Sequence, residues 1–167
     1  MESFGTMTLP GYRFEAHAAK MWRFHFDGDE EERSGWGLNI AAGSPVDEPD
    51  SEECKGLFSD GICLYAEDEP IPLPEASDLT GVEFYLKEPY HPETGEVYFT
   101  FWSTECRDVS EVRIRFLERQ ADRYRVELSA LVHQVFGQPT ELRYVGWVEV
   151  VGEQSAGGAT QGAVPNR

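Results

Sequence analysis

Apolar and polar residues alternate along most of this chain. In residues 12–26, one set of alternate positions is almost entirely apolar, whereas the intervening set includes Arg13 and Glu15. Because successive side chains of a β-strand point to opposite faces, this alternation predicts one long, half-buried strand. Lys20 interrupts the apolar set, which indicates a β-bulge or a strand end at that position.

Shorter runs with the same period of two predict the remaining strands. They lie at residues 36–42, 57–66, 82–86, 97–102, 112–116, 124–130 and 142–150. The run at 57–66 is interrupted by residues 59–61 and fits either one bent strand or two. Prolines at every second position of residues 70–74 predict irregular structure there, because proline has no backbone N–H to donate.

Residues 124–136 fit two different elements. Their apolar positions follow a helical stripe, but over 124–130 they also follow the alternation of a strand. We favour the strand, because it can form a hairpin with the strand predicted at 112–116. The helix remains the alternative.

These patterns together predict an all-β protein. The expected architecture is an antiparallel β-sandwich or barrel-like fold of about seven to nine strands. A chain of 167 residues with 40% hydrophobic residues has enough apolar material for one core, so we expect a single β-rich domain over residues 1–151. Residues 152–167 lack core-forming side chains and are expected to be a disordered, flexible tail.

The first residues and the cysteines favour a cytoplasmic protein. Residues 1–10 have no basic region followed by an apolar run, and no segment approaches the roughly 18 apolar residues that a transmembrane helix requires. We therefore expect no membrane partner. We expect Cys54, Cys63 and Cys106 to be unpaired thiols, with Cys63 and Cys106 filling space in the core.

Charge is distributed unevenly along the chain. The net charge is −17, and residues 27–105 carry 21 acidic and three basic residues, whereas residues 106–151 carry seven of each. The acidic region would repel phosphates, so we expect no nucleic-acid partner. Complementary potentials favour instead a partner protein with a basic surface.

Five carboxylates lie within six residues at Asp27, Asp29, Glu30, Glu31 and Glu32. An EF-hand beginning at Asp27 is excluded, because its sixth and twelfth positions would be Glu32 and Leu38 instead of glycine and glutamate. Asp27, Asp29 and Glu31 are weak candidates for a looser calcium site, and the five acids together are candidates for partner binding. A solvated turn between two strands is the third interpretation.

Catalytic and cofactor motifs are absent from the sequence. His17 and His25 lie on one face of the first long strand but about 26 Å apart, so one metal cannot bind both, and we expect exposed histidines. We expect no cofactor and no enzymatic activity. The leading hypothesis is a protein-binding module of the inhibitor or immunity-protein type. The alternatives are a β-sandwich module for calcium or carbohydrate and an enzyme without a recognisable motif.

Overall fold

The structure, a computed structural model, describes residues 3–25, 34–133, 135–152 and 154–155. Within these residues the chain forms ten β-strands and no helix. The strands are β1 (Gly5–Leu9), β2 (Tyr12–His25), β3 (Ser34–Ala42), β4 (Ile62–Ile71), β5 (Glu83–Leu86), β6 (Thr100–Trp102), β7 (Cys106–Gln120), β8 (Arg123–Val132), β9 (Thr140–Val150) and β10 (Gln154–Ser155).

Eight of these strands form a closed antiparallel barrel with up-and-down order. Each of β1, β2, β3, β4, β6, β7, β8 and β9 pairs with the next, and β9 pairs with β1 to close the barrel. β6 pairs with residues 106–108 of β7, and β5 pairs with residues 112–115 of the same strand. β5 and β6 therefore follow one another along one edge of β7. The predicted all-β antiparallel fold is confirmed, and its architecture is the barrel.

A bulge in β2 explains the interruption at Lys20. The pairing of β2 with β3 shifts between Ala16 and Ala18. Side chains that point inward therefore change from Phe14 and Ala16 before the bulge to Ala19 and Met21 after it. Lys20 consequently points to solvent, and the predicted irregularity lies a few residues earlier than the lysine that indicated it.

β8 is a strand, so the helical interpretation of this region is wrong. The prediction of irregular structure over residues 70–74 is wrong for Pro70 and Ile71, where β4 continues, and is confirmed for residues 72–74. Proline is tolerated there because the β3–β4 register shifts between the Trp36–Ile71 and Leu38–Ala66 pairs.

Other boundaries also differ from the predicted runs. Residues 57–60 form turns in place of a strand, and β6 begins only at residue 100. β1 was missed, because its five residues are too few to display a clear alternation.

Side chains fill the interior of the barrel. Tyr144, Phe14, Phe99 and Phe101 are completely buried, and the Tyr144 hydroxyl donates a 2.7 Å hydrogen bond to the carbonyl of Trp147. An apolar cavity lined by described residues of the interior measures about 10 Å³. Small-molecule pockets usually measure about 300–1,000 Å³, so this cavity has no room for a ligand. No helix in the described ranges is long and apolar enough to cross a membrane.

The up-and-down order places the connections at two ends of the barrel. One end, which we call the lower end, carries the connections that follow β1, β3, β6 and β8, namely residues 10–11, 43–61, 103–105 and 133–139. The opposite, upper end carries the connection after β4 and the β7–β8 turn. Of the predicted flexible tail, only residues 152, 154 and 155 are described, so that assignment stays a prediction.

Candidate interaction surface

The longest connection at the lower end of the barrel is the loop of residues 43–61, which joins β3 to β4. This loop contains six acidic residues and one lysine. The acids are Asp47, Glu48, Asp50, Glu52, Glu53 and Asp60, and all six are exposed. The loop is therefore a concentrated negative surface, and its binding capacity depends on how firmly its backbone is held.

Arg13 holds the first part of the loop against β2. Its guanidinium lies 2.7 Å from a carboxylate oxygen of Asp47, and its amide donates to the carbonyl of Asp47 at 3.0 Å. The amide of Val46 in turn donates to the carbonyl of Arg13 at 2.8 Å. The start of the loop is thus attached as a short β-bridge, with one exposed ion pair added to it.

Phe58 anchors the second part of the loop in the core. It is 4% exposed, and its ring packs edge-on against Tyr12 at 4.8 Å and against Phe14 at 5.7 Å. The Tyr12 hydroxyl donates to the carbonyl of Cys54 at 3.3 Å. Burial, followed by the hydrogen bond and charge interaction with Cys54, raises the pKa of Tyr12 to about 12. An aromatic side chain buried from a loop of this length limits its conformations and fixes its exposed residues in space.

The acids of the loop are only partly neutralised. Lys55 pairs with Asp50 at 2.9 Å, and the Glu48 carboxylate accepts the amide of Gly56 at 3.0 Å. Glu52, Glu53 and Asp60 make no ion pair within the part of the chain that the structure describes. Their charge is therefore directed to solvent and is free to attract a basic molecule.

A second group of acids is buried on the outer side of β4. Glu67 and Glu69 are 6% and 2% exposed, and Thr94 donates to Glu69 at 2.9 Å. Burial, followed by the charge of Glu96, raises the pKa of Asp68. Burial, followed by the charge of Glu67, likewise raises the pKa of Cys63 to about 12.

These buried acids belong to a bonded polar layer. Asn39 donates to Glu67 at 3.4 Å and accepts from the Cys63 thiol at 3.7 Å. Across residues 3–25, 34–133, 135–152 and 154–155, no group of three or more His, Cys, Asp or Glu residues is placed to hold a metal ion. Glu67 and Glu69 are therefore withdrawn from solvent, unlike the six exposed acids of the 43–61 loop.

The outer face of β7, β8 and β9 carries charge of both signs. Arg115 lies between Glu83 at 3.1 Å and Glu127 at 3.4 Å, on the neighbouring strands. Arg113 lies 4.1 Å above the ring of Tyr85. These arginines are occupied by partners within the sheet, which leaves this face close to neutral.

An open groove of about 480 Å³ lies at the upper end, between the end of β2 and the connection that follows β4. Arg23 crosses it, stacked 5.3 Å above the ring of Trp36 and paired with Glu75 at 3.0 Å. The arginine charge is therefore already balanced inside the groove.

Histidines and cysteines occupy separate places. His17 is exposed, as predicted, whereas the side chain of His25 lies outside the described residues. His133 shares a 2.7 Å hydrogen bond with Ser110, a contact that the sequence does not reveal because 23 positions separate the two residues. All three cysteines are free thiols, which confirms their predicted state.

The two cysteines that were expected in the core differ. Cys63 is buried as predicted, but Cys106 is exposed, because β7 turns that position outward beside Tyr65. The expectation that Cys106 fills core space is therefore wrong.

Asp27, Asp29, Glu30, Glu31 and Glu32 lie outside the described residues, so partner binding and calcium binding at these positions stay predictions. The acids of the 43–61 loop were not among the predicted partner-binding residues, although all six are visible in the sequence. Comparison with protein-family models, with curated proteins and with solved structures found no match.

Proposed function

We propose that this protein is a non-enzymatic, acidic, cytoplasmic module that binds a partner protein with a basic surface. The observation that carries the proposal is the attachment of the 43–61 loop to the barrel through Arg13, Tyr12 and Phe58. A fixed loop holds Glu52, Glu53 and Asp60 in one arrangement before binding. A partner then meets a preorganised negative surface.

The expected consequence is fast, salt-sensitive association. Complementary charge steers diffusing proteins toward each other, and added salt weakens that steering. Small acidic inhibitors of basic toxins or nucleases have a similar composition, and this compositional analogy supports an inhibitor or immunity-type role. The acidic residues from Asp27 to Glu32 remain a separate predicted partner-binding stretch.

The filled barrel supports a surface-binding role over enclosure of a small ligand. The interior cavity of about 10 Å³ is lined by apolar side chains such as Met21, Ile40 and Leu128. A carrier of small molecules needs an interior that remains open, and this interior is occupied by side chains.

The test is affinity capture from a lysate of the native host on the immobilised protein, at low and at moderate salt. The loop triple variant carries Glu52→Gln, Glu53→Gln and Asp60→Asn. The strand triple variant carries Glu83→Gln, Glu118→Gln and Asp122→Asn, all exposed positions of the β5–β8 region outside the connections of the lower end. Both variants change the net charge from −17 to −14, so only the position of the change differs.

We expect the wild type and the strand triple variant to retain the same basic protein at low salt, and the loop triple variant to lose most of it. Equal retention by all three proteins would refute a role of the loop charge. Retention of an acidic or neutral protein as the main partner would refute the proposal itself.

A further inference from the structure

Three exposed apolar residues lie around the acidic loop at the lower end. Val46, Leu57 and Phe136 are 50%, 47% and 37% exposed, and we call them the lower-end patch. Val46 is bonded to the backbone of Arg13, as described above. The amide of Leu57 donates to the carbonyl of Cys54, which also accepts the hydroxyl of Tyr12. Val46 and Leu57 are thus linked to the Tyr12–Arg13 segment of β2 through hydrogen bonds, and Phe136 is linked to it through its contact with the Tyr12 ring.

Phe136 is the most rigidly held member of the patch. Its ring stacks on Tyr12, with 5.8 Å between centroids and 16° between planes, and lies 6.0 Å from Phe58. Its inner side is therefore supported by the core aromatics while more than a third of it remains open to solvent. A supported aromatic side chain loses little conformational entropy on binding, which is the property of an interface anchor.

Exposed acids of the loop flank the two loop members of this patch in the sequence. Glu52 and Glu53 precede Leu57, Asp60 follows it, and Glu48 follows Val46. An apolar centre with a charged rim is the usual arrangement of a protein–protein interface. The rim here has one sign, so it selects a partner of the opposite sign.

The other large exposed apolar side chains of the described residues are Tyr85, Tyr90, Leu117 and Val145, and they lie on or beside strands outside this patch. The hydroxyls of Tyr85 and Tyr90 are hydrogen-bonded to Glu111 and Asp108, and Arg113 covers the Tyr85 ring. Leu117 is 37% exposed on β7, in the strand region where arginines and glutamates alternate. It offers a control position with the same side chain as Leu57.

We propose that the lower-end patch is the docking site for the basic partner, and that this partner inserts an apolar side chain flanked by lysine or arginine. The inference rests on the proposed function and adds to it the location and the chemistry of the contact. Loop acids accelerate the encounter, whereas Leu57 and Phe136 slow the dissociation.

The test uses two synthetic peptides of equal length and charge, one of alternating lysine and leucine and one of alternating lysine and serine. Binding to the full-length protein is measured by fluorescence anisotropy, and the rates by stopped-flow mixing. The protein variants are Leu57→Ser, Phe136→Ala and the matched control Leu117→Ser. A melting curve for each variant shows whether it is folded.

We expect the wild type to bind the lysine–leucine peptide at least about tenfold more tightly than the lysine–serine peptide. Leu57→Ser should weaken binding of the lysine–leucine peptide by about tenfold, mostly through faster dissociation, as for an anchor residue. Leu117→Ser should leave it unchanged. Phe136→Ala should weaken binding at least as much, and Leu57→Ser alone decides the matter if Phe136→Ala does not fold.

Equal affinities of the Leu57→Ser and Leu117→Ser variants would overturn the assignment of the patch. If the loop triple variant still slowed association in that case, the proposed function would stand without this docking site. If it did not, both would fail. A wild-type dimer that Leu57→Ser dissociates, together with absent peptide binding, would assign the patch to a second copy of the chain.

Discussion

The two halves of the barrel use charged residues in different ways. Residues 34–105 contain sixteen acids and two lysines, whereas residues 106–151 contain seven acids and seven arginines. The arginines of the second half lie on strands, where Arg115 is bracketed by Glu83 and Glu127. Exposed acids of the first half lie mostly on connections, such as the 43–61 loop. Charge on the strands is therefore used within the sheet, whereas charge on the connections remains available to a partner.

The same comparison applies to packing. β7, β8 and β9 form a continuous meander of long strands whose inward side chains fill the barrel. The 43–61 loop contributes one deeply buried aromatic side chain, Phe58, to the same core. Stability should therefore depend most on the strand half and binding on the loop half. Four changes, from the largest expected effect to the smallest, test this division.

The largest loss is expected in the strand half. Leu128→Ala on β8 removes a side chain that is 3% exposed and leaves a cavity, so the free energy of unfolding should fall by about 2–5 kcal/mol. Leu117→Ala on β7 makes the same chemical change at an exposed position and should alter it by less than about 0.5 kcal/mol. Denaturant unfolding measures both, and equal losses would contradict the burial that we describe.

A somewhat smaller loss is expected at the anchor of the loop. Phe58→Ala should lower the free energy of unfolding by about 3 kcal/mol, because the Tyr12 and Phe14 rings lose a packing partner. Amide hydrogen exchange should accelerate in residues 43–61 but not in β8. Unchanged exchange in the loop would show that the remaining bonds to Arg13 hold it alone.

Alkaline pH should affect the first half through Cys63. Its folded-state pKa is raised from 9.0 to about 12, so the folded protein resists losing the thiol proton that the unfolded chain gives up. The resulting stability is complete below pH 9 and is lost as the pH rises toward 12. Between pH 7 and about pH 10, the free energy of unfolding of the wild type should fall by about 1.4 kcal/mol more than that of Cys63→Ala, because the variant has no thiol to titrate. Identical pH profiles would contradict the burial of this thiol.

The smallest effect is expected at the ion pairs of the sheet. Arg115→Gln breaks contacts with two carboxylates, but the arginine side chain is 54% exposed and solvent screens its charge. The free energy of unfolding should change by less than about 1 kcal/mol. A loss of several kcal/mol would show that the strand charges form a cooperative network.

The sequence predicted the strands better than it predicted the site. Alternation located β2, β7, β8 and β9, because a strand with one buried face repeats every second residue. It could not locate the inward shift after Ala16 in β2, since a bulge depends on the neighbouring strand. The short strand β1 offers too few residues for a period, whereas the alternation over residues 82–86 did locate β5.

The candidate interaction surface could not be predicted from the sequence, because it depends on contacts between residues that are distant in the chain. Tyr12, Phe58 and Phe136 are far apart in the chain and meet only when the barrel closes. Composition pointed to an acidic region and therefore to the chemistry of a partner. It did not indicate which acids stand on a loop that the core holds in place.

The association rate with the captured basic partner tests the central claim most directly. Stopped-flow mixing at low and at moderate salt should show the loop triple variant associating several-fold more slowly than the wild type, with a weaker dependence on salt. The strand triple variant, with the same net charge, should associate nearly as fast as the wild type. If both variants slowed association equally, only the total charge would matter, and the held acidic loop would have no special role in binding.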